Sequence, residues 1–258
     1  KFAFFTGLTL VFENALIVQS HNILMDSFLI FFGFLGLWLF LKAREKNYNK
    51  LLLLLMSFSL TFSFSIKWTG LSFWGLAGLI TLYDLFKTSS LINNKFQLKK
   101  FWIFFKNLFT SKETAKIILS IVVYFIILPF IIYFLIFVIH FWLLPNQGSG
   151  TAFMSEEFNN NKLNIFEKFL ELNIRMYTSN STIKASHPYG SPFYSWPLML
   201  KPIYYWVDNN SETPSRIYLL GNPIIWYSAL IGLIGSLFLR NLTNQEKFQR
   251  NVLLIGYF

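Results

Sequence analysis

The chain of 258 residues contains no cysteine, so it offers no disulfide framework and no thiolate nucleophile or ligand. Charge is scarce too: 13% of residues are charged, against about 25% in soluble domains. Histidine is limited to His21, His140 and His187, far apart and without metal-ligand spacing. A glycine-rich phosphate loop, GxSxG and HExxH are all missing. No motif indicates a cofactor, and nothing resembles a signal peptide or targeting tag. What the chain has in quantity is apolar: 54% hydrophobic residues, with 32 Phe and 8 Trp. Uncharged runs of about 20 residues recur, which a soluble core does not need and a bilayer does.

Six apolar segments are predicted as helices at roughly 2–18, 24–41, 51–66, 68–86, 117–144 and 218–239, with a seventh starting near 252. The fifth would be about 42 Å long at 1.5 Å per residue, longer than a hydrocarbon layer of about 30 Å. A kink at Pro129 or a tilt is expected there. Lys1 leads straight into an apolar run, and the closing "NVLLIGYF" stops after about two helical turns. Both ends are expected to belong to a longer protein.

The net charge of +10 does not imply a nucleic-acid partner, because the basic residues lie between apolar runs instead of forming one stripe. They act as topology signals. If the spans alternate, fourteen fall on one face: Lys42, Arg44, Lys46 and Lys50, seven lysines between 87 and 116, then Arg240, Lys247 and Arg250. Only seven fall on the other: Lys67, Lys162, Lys168, Arg175, Lys184, Lys201 and Arg216. The positive-inside rule makes the first face cytoplasmic. The fold expected is an all-α integral membrane protein, a multi-span helical bundle forming a single transmembrane domain over 1–258. Its outer-face loop, about 145–217, contains a surface amphipathic helix. Within "NIFEKFLELNIRMYT", Ile165, Phe169, Leu172 and Met176 share one face, and Asn164 and Glu167 are spaced as a capping-box variant. That face suits membrane lipid at the surface or packing on neighbouring loops.

Several residues could carry chemistry. Glu13 sits inside the first apolar segment, where a carboxylate is costly; it is a functional group or a hydrogen-bond partner for Asn14, Gln19, Ser20 or a neighbouring helix. His21 and Asp26 follow at the watery end of that turn, where either could be an ordinary surface residue. Lys67, in "SIKWTGL", lies between two apolar segments on the cation-poor face, and either snorkels to lipid headgroups or meets an anion in a cavity. The stretch "IKASHPYGSPFYSWPLMLKPIYYW" cannot face lipid as a helix, because its prolines remove backbone donors. Its rings suit stacking on a sugar, docking of a peptide, or an interfacial aromatic belt.

These stretches together resemble the protein O-mannosyltransferase family, multi-span enzymes of the glycosyltransferase C class. "FENALIVQSHNILMDSFLIFF" is similar to the family's span with an acidic residue, a Ser-Arg pair, a Leu-Asp pair and Phe-Phe. "SIKWTGL" is similar to its Ser-x-Lys-Trp-x-Gly signature, and "HPYGSPFYSWPLMLKPI" to the loop of bacterial members. "GNPIIWY" resembles the start of the next span. The four matches stand in family order over residues 12–227. Two positions depart: His21 and Lys201 stand where the family usually has arginine, and neither offers a permanent guanidinium fork.

The resemblance implies transfer of mannose from a polyprenyl-phosphate-mannose lipid donor to Ser or Thr of an exported acceptor polypeptide, at the cell membrane. It assigns Lys67 to the donor phosphate, with Trp68 in the same signature. His187 and Tyr189 would line the site, Trp196 would form an aromatic wall, and Lys201 and His21 would occupy the arginine positions. Glu13 and Asp26 would position polar neighbours. The family's catalytic carboxylate belongs to an acidic pair in a more N-terminal loop, so the catalytic residue is expected outside this chain. The loop at 145–217 is too short for the inserted repeat domain of eukaryotic members, which points to a bacterial or archaeal type. A related glycosyltransferase with a lipid acceptor, or a transporter or channel, are the alternatives.

Overall fold

The computed structural model describes residues 2–22, 24–88, 118–183, 190, 192–209, 213 and 215–257. The chain forms two compact units, Leu29–Ala185 and Lys1–Phe28 with Ser186–Phe258. Its secondary structure is mostly helical.

The first of these units contains most of helix α3 (Asp26–Glu45), then α4 (Lys50–Ile66), a 3-10 turn (Trp68–Gly70) and α5 (Leu71–Thr88). It continues with α6 (Ile118–Leu143), the short α7 (Glu156–Asn159) and α8 (Ile165–Ser181). Helices α3 and α6 are long and apolar enough to cross a membrane, while α4 is apolar but shorter. Helix α3 has one face of large exposed rings and an inner face on which small residues alternate with Leu29, Leu39 and Phe40. Phe28, Phe31, Phe34 and Trp38 are exposed, whereas Gly33, Gly36 and Ala43 are buried. Small residues on the inner face let helices approach closely. A Cβ at Gly36 would run into Leu60 of α4, and one at Gly33 into Phe73 of α5. Hydroxyls complete the α3–α4 contact: Ser59 donates to the Phe32 carbonyl at 2.8 Å and Ser63 to the Leu29 carbonyl at 2.9 Å.

The α3–α4 turn uses two left-handed residues, Asn47 and Tyr48, before Asn49 caps α4 by accepting from the Leu51 and Leu52 amides. Arg44 grips the Asp84 carboxylate with Nε and Nη2, and the Tyr48 hydroxyl donates to the same carboxylate at 2.6 Å. This ties the ends of α3 and α5 to the turn.

The winding of α6 changes ahead of Pro129. Residues Val122–Ile127 form a π-helical stretch immediately before it. Proline has no N–H to return to the carbonyl four residues back; that carbonyl, of Phe125, accepts the indole N–H of Trp74 at 3.1 Å. Beyond the proline, α6 packs on α4 and α8. Phe169 of α8, only 6% exposed, meets the rings of Phe130, Tyr133, Phe134 and Phe137 edge-on.

The second unit begins with the first apolar segment. It is not one helix over 2–18: α1 (Phe2–Val11) and α2 (Asn14–His21) are separated at Phe12 and Glu13. Glu13 caps α2 by accepting from the Leu16 amide, and a capping conformation is incompatible with a continuous helix. A 3-10 segment (Phe193–Leu198) leads to a feature the apolar pattern did not predict, an antiparallel hairpin of β1 (Ile203–Asp208) and β2 (Ser215–Leu219). Alternation in "IYYWVD" is too weak to be seen as a strand, and cross-strand pairing supplies the order. The Tyr204 and Tyr218 rings lie tilted at 55° with centroids 4.4 Å apart, and the Tyr218 hydroxyl bonds to that of Tyr204 at 2.8 Å. Helix α9 (Pro223–Leu237) follows, and then α10 (Asn244–Tyr257). The last helix therefore starts well before 252: Thr243 accepts the Glu246 amide while Glu246 accepts from Thr243, a cap made of polar residues that an apolar scan passes over.

Candidate functional site

Lys67 stands at the junction of α4 and α5, exposed and in extended backbone. The signature around it is explained by what each neighbour touches. Ser65 is tied back to the Thr61 carbonyl, ending α4, and the Gly70 amide closes the turn on the Lys67 carbonyl at 2.9 Å. Gly70 is buried against the last turn of α4, where a Cβ would lie 2.6 Å from the Ser63 carbonyl carbon and 2.7 Å from the Phe64 nitrogen. Only glycine fits so close to backbone. Trp68 turns inward, half-buried, and its indole N–H donates to the Tyr133 hydroxyl at 3.1 Å. Lysine and tryptophan thus share one tight turn, the lysine exposed and the indole anchored.

Glu13, 7% exposed, is surrounded by donors. One oxygen accepts the Leu16 amide at 2.8 Å; the other accepts the Asn222 amide at 2.8 Å and the Trp226 indole at 2.9 Å. Asn222 caps α9 and also donates to the Phe12 carbonyl at 3.1 Å. Apart from the Leu16 amide of its own cap, the partners are not Asn14, Gln19 or Ser20 but the start of another helix, more than two hundred positions away. This accounts for "GNPIIWY": Gly221 leaves room for the Trp226 ring, Asn222 caps, Pro223 opens the helix, and Trp226 reaches the carboxylate. Asn222 and Trp226 were missed as individual residues. A signal was available in the cap-proline pair followed by an indole at helical spacing.

His21 ends α2, exposed, with Nδ1 2.8 Å from the Ile17 carbonyl. A carbonyl can only accept, so Nδ1 carries the proton. Its contact is with the backbone of its own helix and not with Asn22 or Asp26. Asp26 opens α3 and acts on Tyr205, the extra residue at the bulge between Tyr204 and Trp206 of β1. Burial first, and the charge of Asp26 second, push the Tyr205 phenol above its ordinary value. Trp196 is exposed on the 3-10 segment, which rests on α9 through the Tyr227 hydroxyl and the Leu198 carbonyl at 3.1 Å. Lys201 is exposed and donates to the Gly190 carbonyl at 3.3 Å. His187 and Tyr189 lie outside the described residues.

Glu13, His21, Asp26, Trp196 and Lys201 thus belong to one unit, and Lys67 and Trp68 to the other. A cavity of about 410 Å³ beside the end of α6, lined by His140, Phe141, Gln147, Phe158, Lys168 and Leu172 among others, includes none of them. Among the described residues no three His, Asp or Glu side chains gather closely enough to hold a metal ion.

The chain is mostly helical, and two of its helices are long and apolar enough to cross a membrane. Comparison with known proteins identifies the family. Residues 1–145 match the family described as dolichyl-phosphate-mannose-protein mannosyltransferase, and residues 165–253 match the C-terminal four TMM region of protein-O-mannosyltransferase. The chain belongs to this family. Among its relatives are "Protein O-mannosyltransferase 1" of Drosophila pseudoobscura pseudoobscura, 44% identical over 73 residues, and "Dolichyl-phosphate-mannose--protein mannosyltransferase 1" of Saccharomyces cerevisiae, 40% identical over 70. These stretches cover 28% and 26% of the chain and 8% of each relative. Both relatives are eukaryotic, so they lend no support to the expectation of a bacterial or archaeal type.

Proposed function

We propose that this chain is part of a multi-pass membrane glycosyltransferase that moves mannose from a polyprenyl-phosphate-mannose donor to Ser or Thr of exported proteins. Family membership supports the reaction. The observation that carries the site assignment is Lys67, exposed at a turn that glycine and tryptophan make rigid.

Mannose would leave the phosphate as the acceptor hydroxyl attacks the anomeric carbon, with a carboxylate outside this chain taking the hydroxyl proton. Negative charge grows on the leaving phosphate in that step, and a preorganised ammonium beside it would lower the barrier. Trp196 and the neighbouring prolines would form a wall beside the sugar, and Lys201, His187, Tyr189 and His21 would line the donor and acceptor paths. Glu13, with its oxygens engaged by protein donors, would position the α2 and α9 ends, and Asp26 would position Tyr205. We read 1–258 as one transmembrane domain of a cell-membrane protein, with the 145–217 loop outside and α8 at the membrane surface. The exposed Phe166, Leu170, Ile174 and Tyr177 of α8 support its contact with lipid.

The test is an assay of the full-length protein with radiolabelled polyprenyl-phosphate-mannose and a Ser/Thr peptide. Label should move to the peptide. Label found on a lipid product, or ion flux without transfer, would overturn the reading.

A further inference from the structure

The turn bearing Lys67 is secured from outside α4 and α5. The Trp68 indole donates to the Tyr133 hydroxyl at 3.1 Å, that hydroxyl donates to Asn173 Oδ1 at 2.7 Å, and Asn173 Nδ2 donates to the Phe169 carbonyl at 2.8 Å. Chemistry sets the direction of the chain. An indole only donates, so the phenol oxygen accepts from it, and the phenol proton is free for the one acceptor on its other side. The amide oxygen of Asn173 must face the phenol, which turns its NH2 toward the carbonyl. Three helical elements are joined in this way: the 3-10 turn, α6 and α8.

The middle of the chain is immobilised by packing. The Tyr133 ring meets Phe64 of α4 at 5.6 Å, Phe137 at 4.9 Å and Phe169 of α8 at 5.8 Å between centroids. A phenol held by three aromatic neighbours presents its oxygen at one place. Trp68 directly follows Lys67, and the Gly70 amide bonds back to the Lys67 carbonyl, so an indole anchored to Tyr133 restrains the turn whose backbone carries the lysine.

We propose that Tyr133 and Asn173 are positioning residues for Lys67, acting through Trp68 to hold the ammonium where the leaving phosphate develops its charge. This rests on the assignment of Lys67 to the donor phosphate. Neither residue touches substrate. Their function is to fix the turn, in a semi-apolar setting where linked hydrogen bonds reinforce one another.

The test uses the full-length enzyme in proteoliposomes and normalises rates to folded protein. Tyr133→Phe keeps the ring contacts and removes only the hydroxyl. Because the Lys67 contact strengthens as phosphate departs, its kcat should fall about tenfold with the donor KM unchanged within about twofold. Trp68→Phe combined with Tyr133→Phe should be no slower than the slower single variant, since both cut the same chain. The 15N–H resonance of the Trp68 indole, identified by its loss in Trp68→Phe, should shift in Tyr133→Phe. Asn173→Ala should show the same kcat-selective loss and serves if Tyr133→Phe fails to fold. A purely structural role would lower the yield of folded enzyme and leave kcat and KM per folded molecule unchanged, which would overturn the proposal. Lys67→Met is measured alongside. A loss there with full activity in Tyr133→Phe overturns the positioning chain alone, whereas full activity in Lys67→Met overturns the phosphate assignment and the proposal with it.

Discussion

Tyr48 shows how one side chain's surroundings become a measurable property of the fold. Its phenol is pushed up, first by burial and then by the hydrogen bond it donates to Asp84. In the unfolded chain the group ionises near its ordinary value of 10.0. Above that pH the folded protein holds a proton that the unfolded chain has lost, so unfolding is favoured progressively. The stability contributed by neutral Tyr48 is complete below pH 10 and is lost as pH rises toward the folded value. We expect the unfolding temperature in detergent to fall through this window, and Tyr48→Phe, though less stable at neutral pH, to fall less steeply. Parallel profiles would assign the titration to another group. At the same scale, Glu13 was visible in the sequence as an anomaly, a carboxylate in an apolar run, but its meaning was not. Beyond the Leu16 amide, the donors that satisfy it come from Asn222 and Trp226, and proximity along the chain does not link positions so distant.

Between α4 and α5 the local sequence and the fold impose different requirements. The intervening "KWTG" resembles a known signature, yet the need for glycine arises from α4 lying directly behind it. Gly70→Ala should cost about 1 to 3 kcal/mol or more, because the new methyl would meet backbone that cannot rotate away. Gly75→Ala, on α5 with nothing within 4 Å of the added carbon, is the matched control and should be neutral or stabilising by up to about 1 kcal/mol. Thermal unfolding of both variants decides it, and equal stabilities would remove the close-approach explanation. Helix α8 divides similarly. Its capping box, Asn164 with Glu167, is present as the spacing predicted. Of the face read as amphipathic, Phe169 packs on α6 while Ile165 remains exposed. Periodicity marks an apolar stripe but carries no information about its partner, and here a second stripe, with Leu170 and Ile174, remains on the outside.

At the level of the whole molecule, the uneven distribution of positive charge leads to a topology that can be tested directly. Because this chain has no cysteine, single cysteines introduced into it are unambiguous labelling sites. A cysteine at Ser149 should react with an impermeant thiol reagent from outside intact cells. One at Asn47 should react only after permeabilisation. Labelling of both from the same side would contradict alternating spans and, with them, an outer-face site.

Composition and periodicity were enough to establish a mostly helical chain suited to a bilayer and its main apolar segments, and four short motifs in order carried the resemblance to the family to which it belongs. These are properties of short windows, and local energetics governs them. The break at Glu13, the tyrosine-paired hairpin, the packing of Phe169 into α6 and the Trp68–Tyr133–Asn173 chain required the folded molecule. Each depends on groups far apart in sequence satisfying one another's hydrogen bonds or filling one another's surfaces. That choice of partner is made by the packing of the helices as a set, because a donor removed from water takes the nearest acceptor in space, wherever it lies along the chain.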